Sequence, residues 1–303
     1  MDTLVSITVY AHSEEKAEKA MDSAFKELNS LSDLLNFFSE TSEVASINRS
    51  AGVSPVKVSK ETFEVIEKAL SVSEDTGGAF DITIGAVSSL WDFHKKTPPD
   101  PKLLKEGLKS VGYKNIVLDK EHSTVYLKKK GMKIDLGAIA KGYGADKAVA
   151  VLKNNGIRSG LVSVAGDIKT FGAKPDGSSW RIGIKNPRPQ SEGDALIAVL
   201  GLGNNAVSTS GDYERFFIKD GVRYHHILDP STGYPASECR SVSIITKEGV
   251  YTDAFSTAVF ILGPERGMEV MRKIGLEGMI IDTEGNIFTT EGMKGAVELV
   301  RKH

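Results

Sequence analysis

The stretch SVSIITKEGVYTDAFSTAVFIL, Ser241 to Leu262, changes its period halfway along. Ser241 to Thr246 is rich in β-branched residues, as suits a strand. From about Thr252 the apolar residues recur at helical spacing as far as Leu262. A second helix is expected from Pro264 to Ile274, with strands again around Gly278 to Ile281 and Asn286 to Thr289. Upstream lies a long series of strand candidates: Leu161 to Val164, Ile168 to Thr170, Trp180 to Ile184, Ala195 to Leu202, Ala206 to Ser210 and Phe216 to Ile218. Strands that alternate irregularly with helices argue for an α+β fold of mixed or antiparallel sheets with packed helices, against a doubly wound parallel sheet.

The N-terminal part fits the same class. Leu4 to Tyr10 alternates like a strand, and an amphipathic helix follows from about Ser13, its capping residue, to Leu34. A further helix is expected from Ser59 to Thr76, closed by Gly77-Gly78. The Pro98-Pro99-Asp100-Pro101 cluster breaks the chain but is too short for an interdomain linker. Asn115 to Leu118 and Thr124 to Leu127 read as a hairpin, Lys133 to Leu136 as a further strand, and Ala140 to Asn154 as a helix. The Lys128-Lys129-Lys130 run is expected to be a solvated turn.

Within the helix of the opening stretch, Asp253, Ser256 and Thr257 interrupt an otherwise apolar run. The four-residue step places Asp253 and Thr257 on one face with Ser256 beside them. One carboxylate with two hydroxyls suits a hard, oxygen-seeking cation such as Mg²⁺. The same residues also suit a structural role, with Asp253 capping the helix and the hydroxyls bonding back to main-chain carbonyls.

Three other segments carry polar chemistry. DLGAIAKGYGAD, Asp135 to Asp146, runs from a strand through a glycine-containing turn into a helix. Gly137, Gly142 and Gly144 allow a backbone to approach a ligand, the amides at the helix start suit phosphate oxygens, and Lys141 adds a mobile positive charge. A main-chain carbonyl in such a turn, that of Ala138 for example, can also ligate a cation. VSTSGDYERFF, Val207 to Phe217, concentrates small polar groups after an apolar strand. RYHHILDPSTGYP, Arg223 to Pro235, holds two adjacent histidines, of which a strand would send only one into a site. GLGNNA, Gly201 to Ala206, matches a loose dinucleotide fingerprint, but the Val-Ser-Thr-Ser-Gly that follows cannot open the required helix. There is no Walker-type lysine motif and no G-x-S-x-G elbow.

Composition narrows the function classes. A net charge of −2 with scattered basic residues offers no electrostatic surface for nucleic acid or anionic lipid. The single cysteine, Cys239, excludes an internal disulfide and a thiolate metal cluster. No stretch approaches the roughly 20 apolar residues of a membrane span. The opening MDTLVSITVY begins directly as a strand, which suggests either a cytosolic chain or one whose leader has been removed.

Taken in order, these blocks resemble the ApbE family of FAD:protein FMN transferases. The resemblance covers nearly the whole chain. It runs through Met1-Asp2-Thr3, Ala79 to Gly85 leading to Leu90-Trp91, Asp135 to Asp146, Ser208 to Tyr213, His226 to Pro230 with Thr232 to Pro235, and Asp253 to Thr257. It implies one ApbE-like domain over residues 1–303, or two intertwined subdomains, resembling a duplicated T-fold. Met1, Phe38, Ala79, Phe80, Asp81, Asp135, Lys141 and Ile227 would contact FAD. The Ala138 backbone with Asp253, Ser256 and Thr257 would hold Mg²⁺, Asp253 being the catalytic anchor, and His226 (Asp229 as the lesser choice) would be the base. Two positions depart from the family pattern: Asp2 stands where glycine is usual, and Ala165-Gly166 replaces paired glycines before Asp167. The implied reaction carries the FMN part of FAD onto a threonine of a target flavoprotein and releases AMP. An FAD pyrophosphatase and a non-catalytic FAD carrier are the alternatives. Family members are often exported and lipid-anchored, so an extracytoplasmic place at the inner membrane is expected, with membrane contact only through an anchor on a longer precursor.

Overall fold

The structure, a computed structural model, describes residues 3–191 and 194–300. Its frame is a seven-stranded sheet in the spatial order Val5–Tyr10, Ser159–Val164, Asp167–Phe171, Ala206–Gly211, Cys239–Thr246, Glu277–Asp282 and Ile287–Thr289. Every neighbouring pair is antiparallel. The fold is therefore α+β, and eight helices accompany the sheets among the described residues.

Period-two alternation gives the central sheet two apolar faces. Val242 and Ile244 point to one side and pack with Ala254, Ala258 and Val259 of the long helix Gly249–Ile274. Val162 and Val164 pack on the same side with Ala145, Ala148 and Val149 of the central helix Ala140–Asn154 and with Ala20 and Ala24 of Glu14–Leu35. Ile245, Met279 and Ile281 face the other way, onto the strands Trp180–Lys185 and Leu196–Leu202 of a three-stranded sheet. Antiparallel strands covered on both faces in this way give two apolar layers and one polar end region.

Most sequence-level boundaries hold because local chemistry sets them. Ser13 caps the first helix by accepting from Lys16 N, and Ser59 caps Lys60–Asp75 by accepting from Thr62 N. The long helix is two helical segments joined at Gly263, whose φ of 75° breaks the run before Pro264. Two helices absent from the sequence reading have ordinary caps: Glu43–Arg49 begins at Ser42, and Pro101–Leu108 begins at Asp100 with proline in its first turn.

One expected strand does not form. Lys133 to Leu136 makes only an isolated bridge, Lys133 with Ile84. The Asn48 side chain takes both main-chain groups of Ile134, at 2.7 and 3.0 Å, and Asp135 N donates to Ile82 O at 2.7 Å. With its ladder partners replaced by a side chain and a loop, the segment threads through the core as an extended connector, with Ile134 and Leu136 fully buried. Among the described residues no helix is long and apolar enough to cross a membrane.

The central and long helices cross with backbone in contact at Gly142 and Gly249. A Cβ on Gly142 would lie 2.0 Å from Gly249 O. Asp146, one turn further along the central helix, accepts from Gly249 N at 2.8 Å and Val250 N at 2.9 Å, and so closes the start of the long helix. Gly142→Ala is expected to force the helices apart and lower the unfolding free energy by about 3 kcal/mol. A urea midpoint equal to that of the unmodified chain would show that the crossing is not tight.

Candidate functional site

Because the helices touch at Gly142 and Gly249, Asp253, one turn into the long helix, points at the first turn of the central helix. Its carboxylate is almost fully buried. Asp253 Oδ2 accepts from Gly142 N at 3.1 Å, and Oδ1 lies 2.5 Å from Lys141 Nζ. Asp253 does not cap its own helix, which begins four residues earlier. Lys141 Nζ also reaches Gly137 O at 3.3 Å and Asp167 Oδ2 at 2.8 Å. One ammonium thus joins the glycine turn, the sheet and the long helix.

The sequence reading mentioned Asp167 only as the residue after Ala165-Gly166 and did not count it among the site residues. It is placed by a two-residue hairpin: Val164 pairs with Asp167, and the intervening Ala165 and Gly166 have φ of 53° and 90°. Positive φ at both positions is the backbone of a type I′ turn. Ala165 therefore does the work of the missing glycine, and the departure from the family pattern leaves the turn intact. The signal was present as a two-residue Ala-Gly step between two alternating strands.

Electrostatically the cluster is strained. Two carboxylates share one ammonium, and all three groups are largely withdrawn from water, with side-chain exposures of 28% for Lys141, 6% for Asp167 and 3% for Asp253. Burial, and then the neighbouring Asp253 charge, push the Asp167 pKa up, with Lys141 offsetting only part. Burial opposes the Lys141 charge, but Asp167 and Asp253 outweigh it and hold its pKa raised. Lys141 is thus held at three points, Gly137 O, Asp167 and Asp253. Gly142 likewise serves helix crossing, and its amide is taken by Asp253.

The hydroxyls flanking Asp253 form a second polar patch. Ser256 Oγ donates to Asp253 O at 3.0 Å and lies 2.9 Å from Ser210 Oγ, which is 3.2 Å from Thr257 Oγ1. Thr252 Oγ1 contacts Ser208 Oγ at 2.8 Å. The polar run after Ala206 thus lies under the long helix, as a site floor should. Ser256 keeps the back-bonded geometry that structural hydroxyls adopt.

The remaining expected residues divide by what holds them. Asp81 is buried and accepts from Thr83 N, Thr83 Oγ1 and Tyr113 N at 2.8, 2.6 and 2.8 Å, so it fixes its own loop. Asp135 accepts from Gly137 N and Ser88 Oγ, and its amide ties the glycine turn to Ile82. Phe80 and Ile227 are buried in the same apolar cluster as Ile139. Ala79 is half-buried beside Phe80, and Ala138 is half-buried in the glycine turn. Phe38 is 82% exposed, an aromatic ring touching Phe37 edge-on and otherwise open to a planar partner. Met1 lies outside the described residues.

The two histidines separate as a strand end predicts. His225 is structural: Nε2 contacts Ala236 O at 2.8 Å and Nδ1 accepts from Ile227 N at 3.3 Å, which fixes a neutral tautomer. His226 Nδ1 is buried without a hydrogen-bond partner. Burial, and after it chiefly the Arg215 charge, push its pKa down to about 3. Asp229 accepts from Ser231 N and Oγ, which commits one of its oxygens to a local turn. A cavity of about 500 Å³ lies against the other histidine, lined by Arg188, Asp212, Arg223, His225 and Arg240 among others, and includes none of the Lys141 cluster.

The donor set suits a hard cation. Among the described residues there is no group of three or more His, Cys, Asp or Glu side chains able to hold a metal by themselves. Mg²⁺ does not need one, since it is commonly held by one or two carboxylates, main-chain oxygens, water and substrate phosphates. The Lys141 ammonium already shows that a single positive centre can touch both the glycine turn and Asp253.

The chain is similar to known proteins over most of its length. The model of the ApbE family matches residues 1–280. A FAD:protein FMN transferase of Treponema pallidum is 35% identical over 98% of this chain and 87% of its own length. The crystal structure of the ApbE protein of Thermotoga maritima superimposes with a TM-score of 0.90 at 36% identity, covering 97% of this chain and 96% of that one. The flavin transferase ApbE of Vibrio cholerae gives 0.85 at 28% identity, covering 98% and 96%.

The depressed His226 pKa has a consequence for stability. Between about pH 3 and 6.5 the unfolded chain binds a proton at this position that the folded chain refuses, so stability falls as pH drops below 6.5. His226→Gln is expected to lose about 1 kcal/mol less than the unmodified chain between pH 6 and 5, measured by urea unfolding. Equal losses would mean that His226 titrates normally.

Proposed function

Because the chain belongs to the ApbE family, we propose that it transfers the FMN moiety of FAD to a threonine hydroxyl of a target flavoprotein in a reaction that requires Mg²⁺. The threonine oxygen forms a bond to the FMN-side phosphorus, the bond from that phosphorus to the bridging oxygen breaks, and AMP leaves with the electron pair. Such a transfer asks the protein chiefly for positioning and charge neutralisation. The observation that supports this reading is the meeting of Gly137, Lys141 and Asp253 at one point.

The main-chain carbonyl of Ala138 with Asp253, Ser256 and Thr257 would hold the metal, Ser256 also bonding Asp253 O. When bound, Mg²⁺ supplies positive charge to the diphosphate and its developing negative oxygens. Lys141 adds a second cation beside the same oxygens. Phe38 offers a face for the flavin ring, while Phe80 and Ile227 form an apolar wall that excludes water. His226 takes the threonine proton as a neutral imidazole, since its Nδ1 has no other partner. An imidazole with a pKa near 3 is a weak base. Burial is the chief cause of that depression, and the entering diphosphate would offset only the smaller part that comes from Arg215 and Lys141. His225 cannot substitute, as both its ring nitrogens are engaged.

Asp253→Ala should leave the fold intact and slow transfer on the order of a hundredfold or more, read by mass spectrometry of a threonine-bearing acceptor incubated with FAD and Mg²⁺. Transfer at the unmodified rate would refute the metal assignment. In the same assay His226→Ala should lose turnover and keep its affinity for FAD; the reverse pattern would remove it as the base. Rapid release of FMN and AMP without acceptor would identify a hydrolase instead.

A further inference from the structure

The proposed metal and Lys141 make competing demands on Asp253. The ammonium lies 2.5 Å from the same carboxylate that the divalent ion needs. Two cations drawn to one buried carboxylate repel each other at short range, where solvent screens them little. Lys141 must therefore yield when the ion arrives, and it needs somewhere to go.

Asp167 is placed for that purpose. Its Oδ2 is 2.8 Å from Lys141 Nζ, yet it is buried and lacks an aligned hydrogen-bond donor. The ammonium can release Asp253 while keeping Asp167, a shift of contact that needs no new partner and leaves no carboxylate uncompensated. Without Asp167, the displaced ammonium would have to face either the incoming ion or an apolar interior.

We propose that Lys141 is an internal cation which occupies Asp253 when no divalent ion is bound, and that Asp167 is the positioning residue that retains the ammonium when Asp253 is given up to the ion. The inference rests on the metal reading of Asp253 given above. It assigns Lys141 the role of a competitor for the site before FAD arrives, and it makes Asp167 act through Lys141 and not as a ligand.

Titration with Mn²⁺ in the absence of FAD, following the electron paramagnetic resonance signal of the free ion, tests this in a double-mutant cycle. Lys141→Met should bind Mn²⁺ on the order of tenfold more tightly than the unmodified chain. Asp167→Asn should bind it more weakly by a similar factor, because Lys141 then has only Asp253. In the Lys141→Met background, Asp167→Asn should change nothing. Lys141→Gln serves if the methionine variant does not fold. Unchanged or weaker Mn²⁺ binding without the lysine charge would overturn the inference and leave the metal reading standing. So would an equal loss from Asp167→Asn with and without Lys141, which would make Asp167 a ligand. If the unmodified chain binds Mn²⁺ neither alone nor with FAD, the metal reading fails and the inference with it.

Discussion

Two carboxylates and one ammonium, packed where two helices touch through glycine backbones, form the constraint around which the site is arranged. Asp253 is held to Gly142 N and Lys141, Lys141 to Gly137 O and Asp167, and Asp167 to the end of a tight hairpin. The three charged groups come from three elements: the central helix, the long helix and the strand Asp167–Phe171. Burial of an unbalanced ion cluster is weak ground for stability, since desolvation opposes the pairing. Its presence fits the proposal that this site takes up an additional positive charge.

The scaffold serves this end by being rigid around it. Apolar layers on both faces of the central sheet fix the strands that carry Asp167 and Ser208 to Ser210, and Asp146 fixes the start of the helix that carries Asp253. The Asp81 loop is fastened by its own hydrogen bonds and joined to the glycine turn through Ile82 and Asp135. Polar groups of the Lys141 cluster meet at one end of this frame. A ligand that brings phosphates to that end would complete coordination the protein leaves open.

What the chain discloses on its own follows the range of the forces involved. Ser13 and Ser59 are visible as caps because capping acts over three residues, and the strand periods are visible because pleating acts over two. The Asp253 face is legible for the same reason, being set by helical spacing. Asn48 holding Ile134 is not, because the partners are 86 residues apart and the contact replaces a ladder that the local pattern favours. Gly142 looks like a phosphate-loop glycine until its neighbour is seen to be Gly249. Asp167 escaped notice for a similar reason: its meaning lies in Lys141, which only the fold brings beside it.

The account stands or falls on whether the glycine turn and the long helix share a cation. Anomalous diffraction from crystals grown with FAD and Mn²⁺ addresses this directly. It should place a manganese peak bonded to a carboxylate oxygen of Asp253 and to a main-chain carbonyl of residues 137–138. A bound ion that coordinates neither, or none beside a bound FAD, would contradict it.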